Sequence, residues 1–218
     1  MIQPLDESRL KEALDQLAAL DADIAAALPV VGLPAPRIRD PGFATLLRIV
    51  VAQQISTKAA AAIWGRLELA AGPSLSAESL LALTDAQFRT VGFSARKVEY
   101  ARDLARAIAD GRLDLDRLAA CEEAELVAEI AALRGFGRWS AEIYGLFALG
   151  RVDIFPADDL ALQVAAMRLK RLPGRPNAKT LRLLAEAWRP VRGAAAVFLW
   201  HYYGAATLDE SAAPTPPQ

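Results

Sequence analysis

The stretch Leu133-Arg-Gly-Phe-Gly-Arg-Trp-Ser-Ala141 decides the fold, because it joins a tight turn to the start of a helix. Its two glycines, Gly135 and Gly137, predict a short turn, and they allow positive φ angles and close backbone approach to a ligand. Residues 138–149 have a helical pattern, and the first N–H groups of a helix have no partner within it. The turn is therefore a candidate anion site, although an isolated Gly-x-Gly also fits a plain corner between helices.

A pair of carboxylates, Asp158 and Asp159, follows Pro156 and precedes an amphipathic stretch from Leu160 to Leu169. We expect Asp158 to cap this helix, which leaves the other acid to face a cleft. A carboxylate can stabilise an oxocarbenium-like cation and can orient or deprotonate water. Two capping acids at a helix start are the alternative. Together with the anion site, the pair suggests chemistry on nucleic acid.

Tryptophans near these two features are candidates for holding a base. Trp139 lies just past the glycine turn, and Trp200 lies in an aromatic segment near the end of the chain. An indole can stack a flipped base and attracts a positively charged one. Core packing is the alternative, and it is what we expect of Trp64 and Trp188.

Two adjacent amides, Gln53 and Gln54, close an apolar helix. Such side chains could fill the gap that an extruded base leaves in a duplex. Solvent-exposed glutamines at a helix end are the alternative.

The composition excludes several classes of protein. The chain has 218 residues, of which 54% are hydrophobic and 23% charged, as in globular proteins. Its only cysteine, Cys121, excludes an internal disulfide and fits a reducing cytosol. Its only histidine, His201, argues against histidine metal clusters and Ser-His-Asp catalysis. We expect neither a signal peptide nor a membrane span.

The net charge of −1 argues mildly against nucleic acid, but the charges are unevenly distributed. Residues 168–192 contain eight basic side chains and one acid, whereas residues 101–130 contain eight acids and four arginines. This polarity could steer a polyanion to one side of the protein. A solvated arginine-rich surface is the alternative.

Most of the chain has helical periodicity, and glycines and prolines divide it into nine or ten predicted helices. Ser76, Thr84 and Ser94 are candidate N-caps. The tail, residues 211–218, is polar and proline-rich, so we expect it to be frayed.

These motifs together resemble the helix-hairpin-helix (HhH-GPD) DNA glycosylase superfamily, and within it the alkylpurine branch of 3-methyladenine DNA glycosylase II. The resemblance runs from about Asp40 to Tyr203. It rests on Asp40-Pro41 through Gln53-Gln54-Ile55-Ser56, Gly92-Phe93-Ser94 with Lys97, Leu133 to Ala141, Phe155-Pro156 with Asp158-Asp159, and Trp188-Arg189-Pro190 through Trp200.

The resemblance implies a role for each candidate. Asp159, the second acid of the pair, would be catalytic, and Trp139 and Trp200 would line the base pocket. Gln54 would be the DNA wedge, with Gln53 just before it. The phosphate-binding hairpin would comprise Leu133, Gly135, Gly137 and Arg138. No cofactor is implied beyond a monovalent cation that the hairpin backbone carbonyls could share, and no metal held by side chains.

Two departures from the family pattern indicate which branch and which form of the family the chain resembles. Members with lyase activity carry a lysine where this chain has Trp139, so the chain resembles the monofunctional branch that uses water. Longer bacterial members carry an N-terminal β-rich domain, whereas about 40 residues precede Pro41 here. The chain therefore resembles a compact form.

The expected fold is all-α, with two helical subdomains that flank a DNA-binding cleft and together form one glycosylase unit. Residues 40–150 would form the central subdomain that ends in the helix-hairpin-helix, and residues 1–39 with 151–210 the second. The expected function is hydrolytic release of 3-methyladenine and 7-methylguanine from duplex DNA by a cytoplasmic, nucleoid-associated monomer. The alternatives are a glycosylase for hypoxanthine or oxidised bases, and a non-catalytic binder of DNA structure.

Overall fold

The computed structural model describes residues 2–72 and 75–212, and all of its regular elements within these ranges are helices. The expected all-α class is confirmed. The helices are α1 (Glu7–Leu20), α2 (Ala22–Val31), α3 (Phe43–Ala52), α4 (Thr57–Ala71), α5 (Ala77–Leu81), α6 (Asp85–Val91), α7 (Ala95–Ala109), α8 (Leu115–Ala120), α9 (Glu123–Ala131), α10 (Arg138–Phe147), α11 (Leu160–Leu169), α12 (Ala178–Ala185) and α13 (Arg192–Ala212), with a 3₁₀ turn at Glu186–Trp188.

The described residues contain thirteen α-helices rather than the nine or ten that the breakers predicted. The difference comes from short helices such as α5, α6 and α8, which have five to seven residues each. Each has its own N-cap, provided by Ser76, Thr84 and Asp114 respectively. A capped turn this short has too few residues to show a hydrophobic period of its own.

The helices form two compact units. One unit comprises Ile2 with Arg39–Leu149 and therefore contains α3 to α10. The other comprises Gln3–Ile38 with the described residues from Gly150 onward, and contains α1, α2 and α11 to α13. The predicted frayed tail lies outside the described residues except for its first two, which close α13.

In the first unit, α3 and α10 contribute fully buried side chains to the core. Leu46, Leu47 and Val50 of α3 are buried, and Trp64 on α4 is only 5% exposed. The buried hydroxyl of Tyr144 on α10 accepts a hydrogen bond of 3.0 Å from the backbone N–H of Gly42. This bond gives the tyrosine oxygen a partner inside the core.

In the second unit, the core surrounds one buried carboxylate. Asp21 caps α2, is 8% exposed, and accepts hydrogen bonds from Lys170 (2.6 Å) and from the indole of the fully buried Trp188 (2.6 Å). Burial would raise the pKa of Asp21, but the hydrogen bonds from Lys170, Trp188 and the Ile24 backbone outweigh it and lower the pKa. The expectation that Trp64 and Trp188 are core residues is confirmed. Within the described residues, each helix is too short or too polar to cross a membrane.

Candidate functional site

The candidate catalytic residue Asp159 is the N-cap of α11. Its Oδ1 atom accepts hydrogen bonds from the backbone N–H groups of Ala161 (2.9 Å) and Leu162 (3.2 Å). The prediction that Asp158 caps this helix is therefore wrong by one residue. Asp159 has the extended backbone of an N-cap (φ −72°, ψ 123°), which aims its side chain back at the first turn.

A third donor reaches the same oxygen. The indole Nε1–H of Trp200 on α13 donates to Asp159 Oδ1 over 3.2 Å, although 41 residues separate the two. Three donors on one oxygen fix the orientation of the carboxylate, which is half-buried. Two candidate residues from distant motifs thus lie in direct contact within one unit.

The neighbouring acid has a different environment. Asp158 is exposed and forms an ion pair of 2.9 Å with Arg182 of α12. The carboxylate of Asp159 lies at the positive end of α11. Asp159 thus differs from Asp158 in its N-cap position and in the hydrogen bond that it accepts from Trp200.

The ring of Trp200 has a cationic neighbour that the sequence did not reveal. The guanidinium of Arg37 lies 5.7 Å from the ring centroid, in the segment between α2 and α3. A cation at this distance interacts with the electron-rich face of the indole. Beside Asp159, Leu160 is 61% exposed. Neither residue belongs to a recognisable motif.

The predicted hairpin joins α9 to α10 at residues 132–137. Leu133 is buried (7% exposed), so its side chain anchors the turn in the core, while its carbonyl accepts from the N–H of Phe136 over 3.1 Å. Arg138 begins α10 and forms an ion pair with the buried Glu142 one turn later (3.4 Å). The hairpin is therefore anchored in the core by the Leu133 side chain and is followed directly by the start of α10.

Of the two hairpin glycines, only Gly135 has a positive φ angle, of 82°. A Cβ atom there would lie 2.1 Å from the ring of Tyr100, so glycine is required for packing as well as for conformation. Gly137 is extended (φ −132°), so it does not use the positive φ that glycine allows. As the N-cap of α10 it leaves open space: apart from Gly137 itself and its two chain neighbours, no described residue has an atom within 4 Å of its Cβ position.

The two glutamines have different surroundings. Gln53 is the C-cap of α3, and its side-chain amide donates to the carbonyl of Gly135 over 2.8 Å. The side-chain amide of Gln53 is thus engaged at the hairpin, and its part in the wedge stays a prediction. Gln54 is exposed and has a left-handed backbone with φ 57°, which is uncommon for residues other than glycine.

Trp139 is half-buried in the first turn of α10, two residues after Gly137. It belongs to the unit that also holds the hairpin and the glutamines, whereas Asp159 and Trp200 belong to the other unit.

The basic stretch at residues 168–192 is mostly neutralised. Within the described part of the chain, at least five of its eight basic side chains form ion pairs with acids of the same unit. Lys170, for example, lies between Asp21 and Asp23. Steering of a polyanion by this stretch is thereby weakened, and the partner acids other than Glu186 lie outside the stretch.

The described residues show no cluster of three or more histidine, cysteine or acidic side chains that could hold a metal ion. The hairpin carbonyls are the remaining candidate ligands for a cation. Those of Leu133 and Gly135 each accept one hydrogen bond, from Phe136 N–H and from Gln53 respectively. A carbonyl oxygen has a second lone pair, so these ligands are compatible with a weakly bound monovalent cation.

The chain is similar in sequence and in structure to known DNA-3-methyladenine glycosylases. In Schizosaccharomyces pombe, DNA-3-methyladenine glycosylase 1 is 33% identical over 164 residues, covering 72% of this chain and 71% of the relative. A crystal structure of DNA-3-methyladenine glycosidase from Bacillus halodurans matches with 31% identity and a TM-score of 0.79, covering 96% of this chain and 94% of that one.

The S. pombe 3-methyladenine DNA glycosylase, solved in complex with abasic DNA, matches with 30% identity and a TM-score of 0.79. That match covers 87% of this chain and 95% of the other. The family description "HhH-GPD superfamily base excision DNA repair protein" matches residues 47–190, which include the glutamines, the hairpin and Asp159. The chain therefore belongs to the HhH-GPD superfamily of base excision DNA repair proteins.

Proposed function

We propose that this protein is a monofunctional DNA glycosylase that hydrolyses the N-glycosidic bond of alkylated purines, chiefly 3-methyladenine and 7-methylguanine, in duplex DNA. The observation that carries the proposal is the contact of Trp200 with Asp159 at the start of α11. It places an aromatic ring beside an oriented carboxylate. Similarity to the 3-methyladenine glycosylases of S. pombe and B. halodurans supports the choice of substrate.

Asp159 supplies the chemistry in this proposal. Departure of the base leaves positive charge on the sugar, and a preorganised carboxylate stabilises that charge without reorganising. The carboxylate also orients the attacking water and accepts its proton. The three donors on Oδ1 keep the group in one orientation throughout the reaction.

The choice of base follows from the leaving group. A methylated purine that carries positive charge departs easily, so modest catalysis and a permissive aromatic pocket suffice. Trp139 and Trp200 would form the aromatic part of that pocket. The position of Trp139, where lyase-type members have a lysine, supports hydrolysis by water rather than attack by an amine.

DNA would be held by the turn before α10. The N–H groups of the first turn bind one phosphate, and the open space at Gly137 lets the phosphate approach the backbone. Gln54 would enter the gap left by the flipped base. A monovalent cation at the hairpin carbonyls would add positive charge near the phosphate. We further propose that the enzyme acts as a monomer in the cytosol, which its single cysteine fits.

The direct test measures base release from duplexes that contain one defined lesion each. We expect release of 7-methylguanine and 3-methyladenine without strand cleavage at the resulting abasic site. Faster release of hypoxanthine or 8-oxoguanine would support the alternative lesion classes, and cleavage of the strand would contradict the monofunctional mechanism. Binding without release of any base would identify a non-catalytic binder.

A further inference from the structure

The contact between Gln53 and the hairpin joins two parts of the molecule that the proposed function assigns to different tasks. Gln53 Nε2 donates to the Gly135 carbonyl over 2.8 Å, across 82 residues of sequence. Gln53 is half-buried and is followed directly by the exposed Gln54. The residue before the wedge is therefore tied to the turn that would hold a phosphate.

The turn at Gln54 is anchored on both sides. On the α3 side, Lys97 Nζ donates over 2.7 Å to the carbonyl of Val51, one of the last carbonyls of a helix, which have no intrahelical donor. On the other side, Ser56 caps α4 through its hydroxyl. Because φ of Gln54 is 57°, this conformation persists only where neighbouring contacts determine it.

The helix α7 supports both the turn and the hairpin. Lys97 contacts α3, and one turn later the ring of Tyr100 lies against Gly135. Asp103, on the next turn, accepts from the hairpin N–H of Arg134 over 3.0 Å. The two DNA-contacting segments thus share a common support in addition to their direct contact through Gln53.

We propose that Gln53 is a positioning residue that fixes the wedge Gln54 at a set distance from the phosphate-binding hairpin, so that one duplex can engage both. The inference rests on the proposed function, because it concerns how that site grips its substrate. Once a phosphate is bound at the hairpin, Gln54 would already lie at the gap that the flipped base leaves in the duplex. Small errors in such placement are costly in rate.

The predicted signature is a loss confined to duplex DNA. Gln53→Met keeps the length of the side chain and removes its donor, and it should slow release of 7-methylguanine from duplexes about fivefold, as expected for one lost hydrogen bond. Release from single strands should not change, since a single strand has no gap for the wedge. Gln16→Met, at an exposed position on α1, is the matched control.

Gln53→Glu tests the donor itself. At pH 7.5 the introduced carboxylate faces the Gly135 carbonyl without a proton, so duplex activity should fall below that of Gln53→Met. At pH 5 a larger fraction of the introduced carboxyl groups is protonated and can donate. The rate of base release from duplexes by Gln53→Glu, relative to that of wild type at the same pH, should therefore increase towards one. Gln53→Met should show no such recovery.

Amide hydrogen exchange of the free protein provides a readout that does not require activity. Gln53→Met should accelerate exchange at residues 52–56 and also at residues 133–137, if the two segments are coupled. Acceleration at 52–56 alone, or equal losses on duplex and single strands, would overturn the inference. A wild-type protein that releases no base would instead overturn the proposed function, and the exchange result would still decide the coupling.

Discussion

The carboxylate of Asp159 both caps a helix and would stabilise the transition state. In Asp159→Asn the new side chain could still accept hydrogen bonds from Ala161 and Leu162, since asparagine caps helices about as well as aspartate does. Charge and fold can therefore be separated at this residue by a single substitution. Trp200 contacts Asp159, and Arg37 lies over the Trp200 ring, so substitutions at both residues provide further tests of this site.

Trp200→Phe keeps an aromatic ring and removes the indole N–H that contacts Asp159. We expect base release to slow about tenfold, since a hydrogen bond to a charged group contributes about 1.5 kcal/mol or more. Single-turnover kinetics on 7-methylguanine duplexes measure the effect. Trp64→Phe, which removes an indole bond to Glu68 in the other unit, is the control and should leave the rate unchanged. An unchanged rate in Trp200→Phe would show that the bond has no role in catalysis.

Arg37→Met removes the cation from the face of Trp200. Release of the charged 7-methylguanine should increase about two- to fivefold relative to neutral hypoxanthine, because a cation–π contact at an exposed site contributes ~0.5–1 kcal/mol and two cations compete for one ring. Competition assays with both lesions measure the ratio. If both rates change equally, Arg37 acts on DNA binding and not on the choice of base.

Some of these residues could be predicted from the sequence, and others could not. Asp159 and Trp200 were identified individually, but their contact depends on how α11 and α13 pack, which no local pattern reports. The N-cap was placed one residue too early because two adjacent acids give the same capping signal. Arg37 was missed because its partner is 163 positions away.

Among the structural elements, the hairpin between α9 and α10 requires glycine at Gly135 but has room for a side chain at Gly137. Gly135→Ala should destabilise the protein by several kcal/mol, since the left-handed backbone and the Tyr100 ring both exclude a Cβ. Gly137→Thr should keep its stability, because threonine caps helices about as well as glycine. It should nevertheless weaken binding to undamaged duplex, since the side chain fills the space where a phosphate would approach.

Thermal unfolding and DNA binding at one fixed salt concentration check both halves of this prediction. Normal DNA affinity in a folded Gly137→Thr protein would show that the hairpin is only a corner between helices. The turn itself was predictable, because two glycines before a helix are a local signal. The contact of Gln53 with the hairpin was not, because it joins segments that are far apart in sequence.

In the whole molecule, basic residues that are clustered at residues 168–192 of the sequence form ion pairs with acids from other parts of the chain. Several basic residues between Lys170 and Arg192 form ion pairs with acids of the same unit, as Lys170 does with Asp21 and Asp23 at the start of α2. A charge count over a sequence window could not reveal this pairing. Its consequence is a dependence of stability on pH.

Asp21 should make the protein sensitive to acid. Its pKa in the folded state is lower than the ordinary value of 3.8, so the unfolded chain binds more protons as the pH falls through that range. The stability that Asp21 provides is present above about pH 4 and is lost below it. Urea unfolding between pH 2.5 and 7 should show a steeper acid loss for wild type than for Asp21→Asn. Parallel curves would contradict this role.

The most direct test of the account compares base release by wild type, Asp159→Asn and Asp158→Asn on duplexes that contain 7-methylguanine. Asp159→Asn should lower the single-turnover rate by on the order of 10² or more, with an unchanged melting temperature and retained binding to an abasic-site analogue. Asp158→Asn should remain active within a few-fold. Near-normal turnover in Asp159→Asn, or loss of activity in Asp158→Asn alone, would contradict the assignment of Asp159 as the catalytic carboxylate.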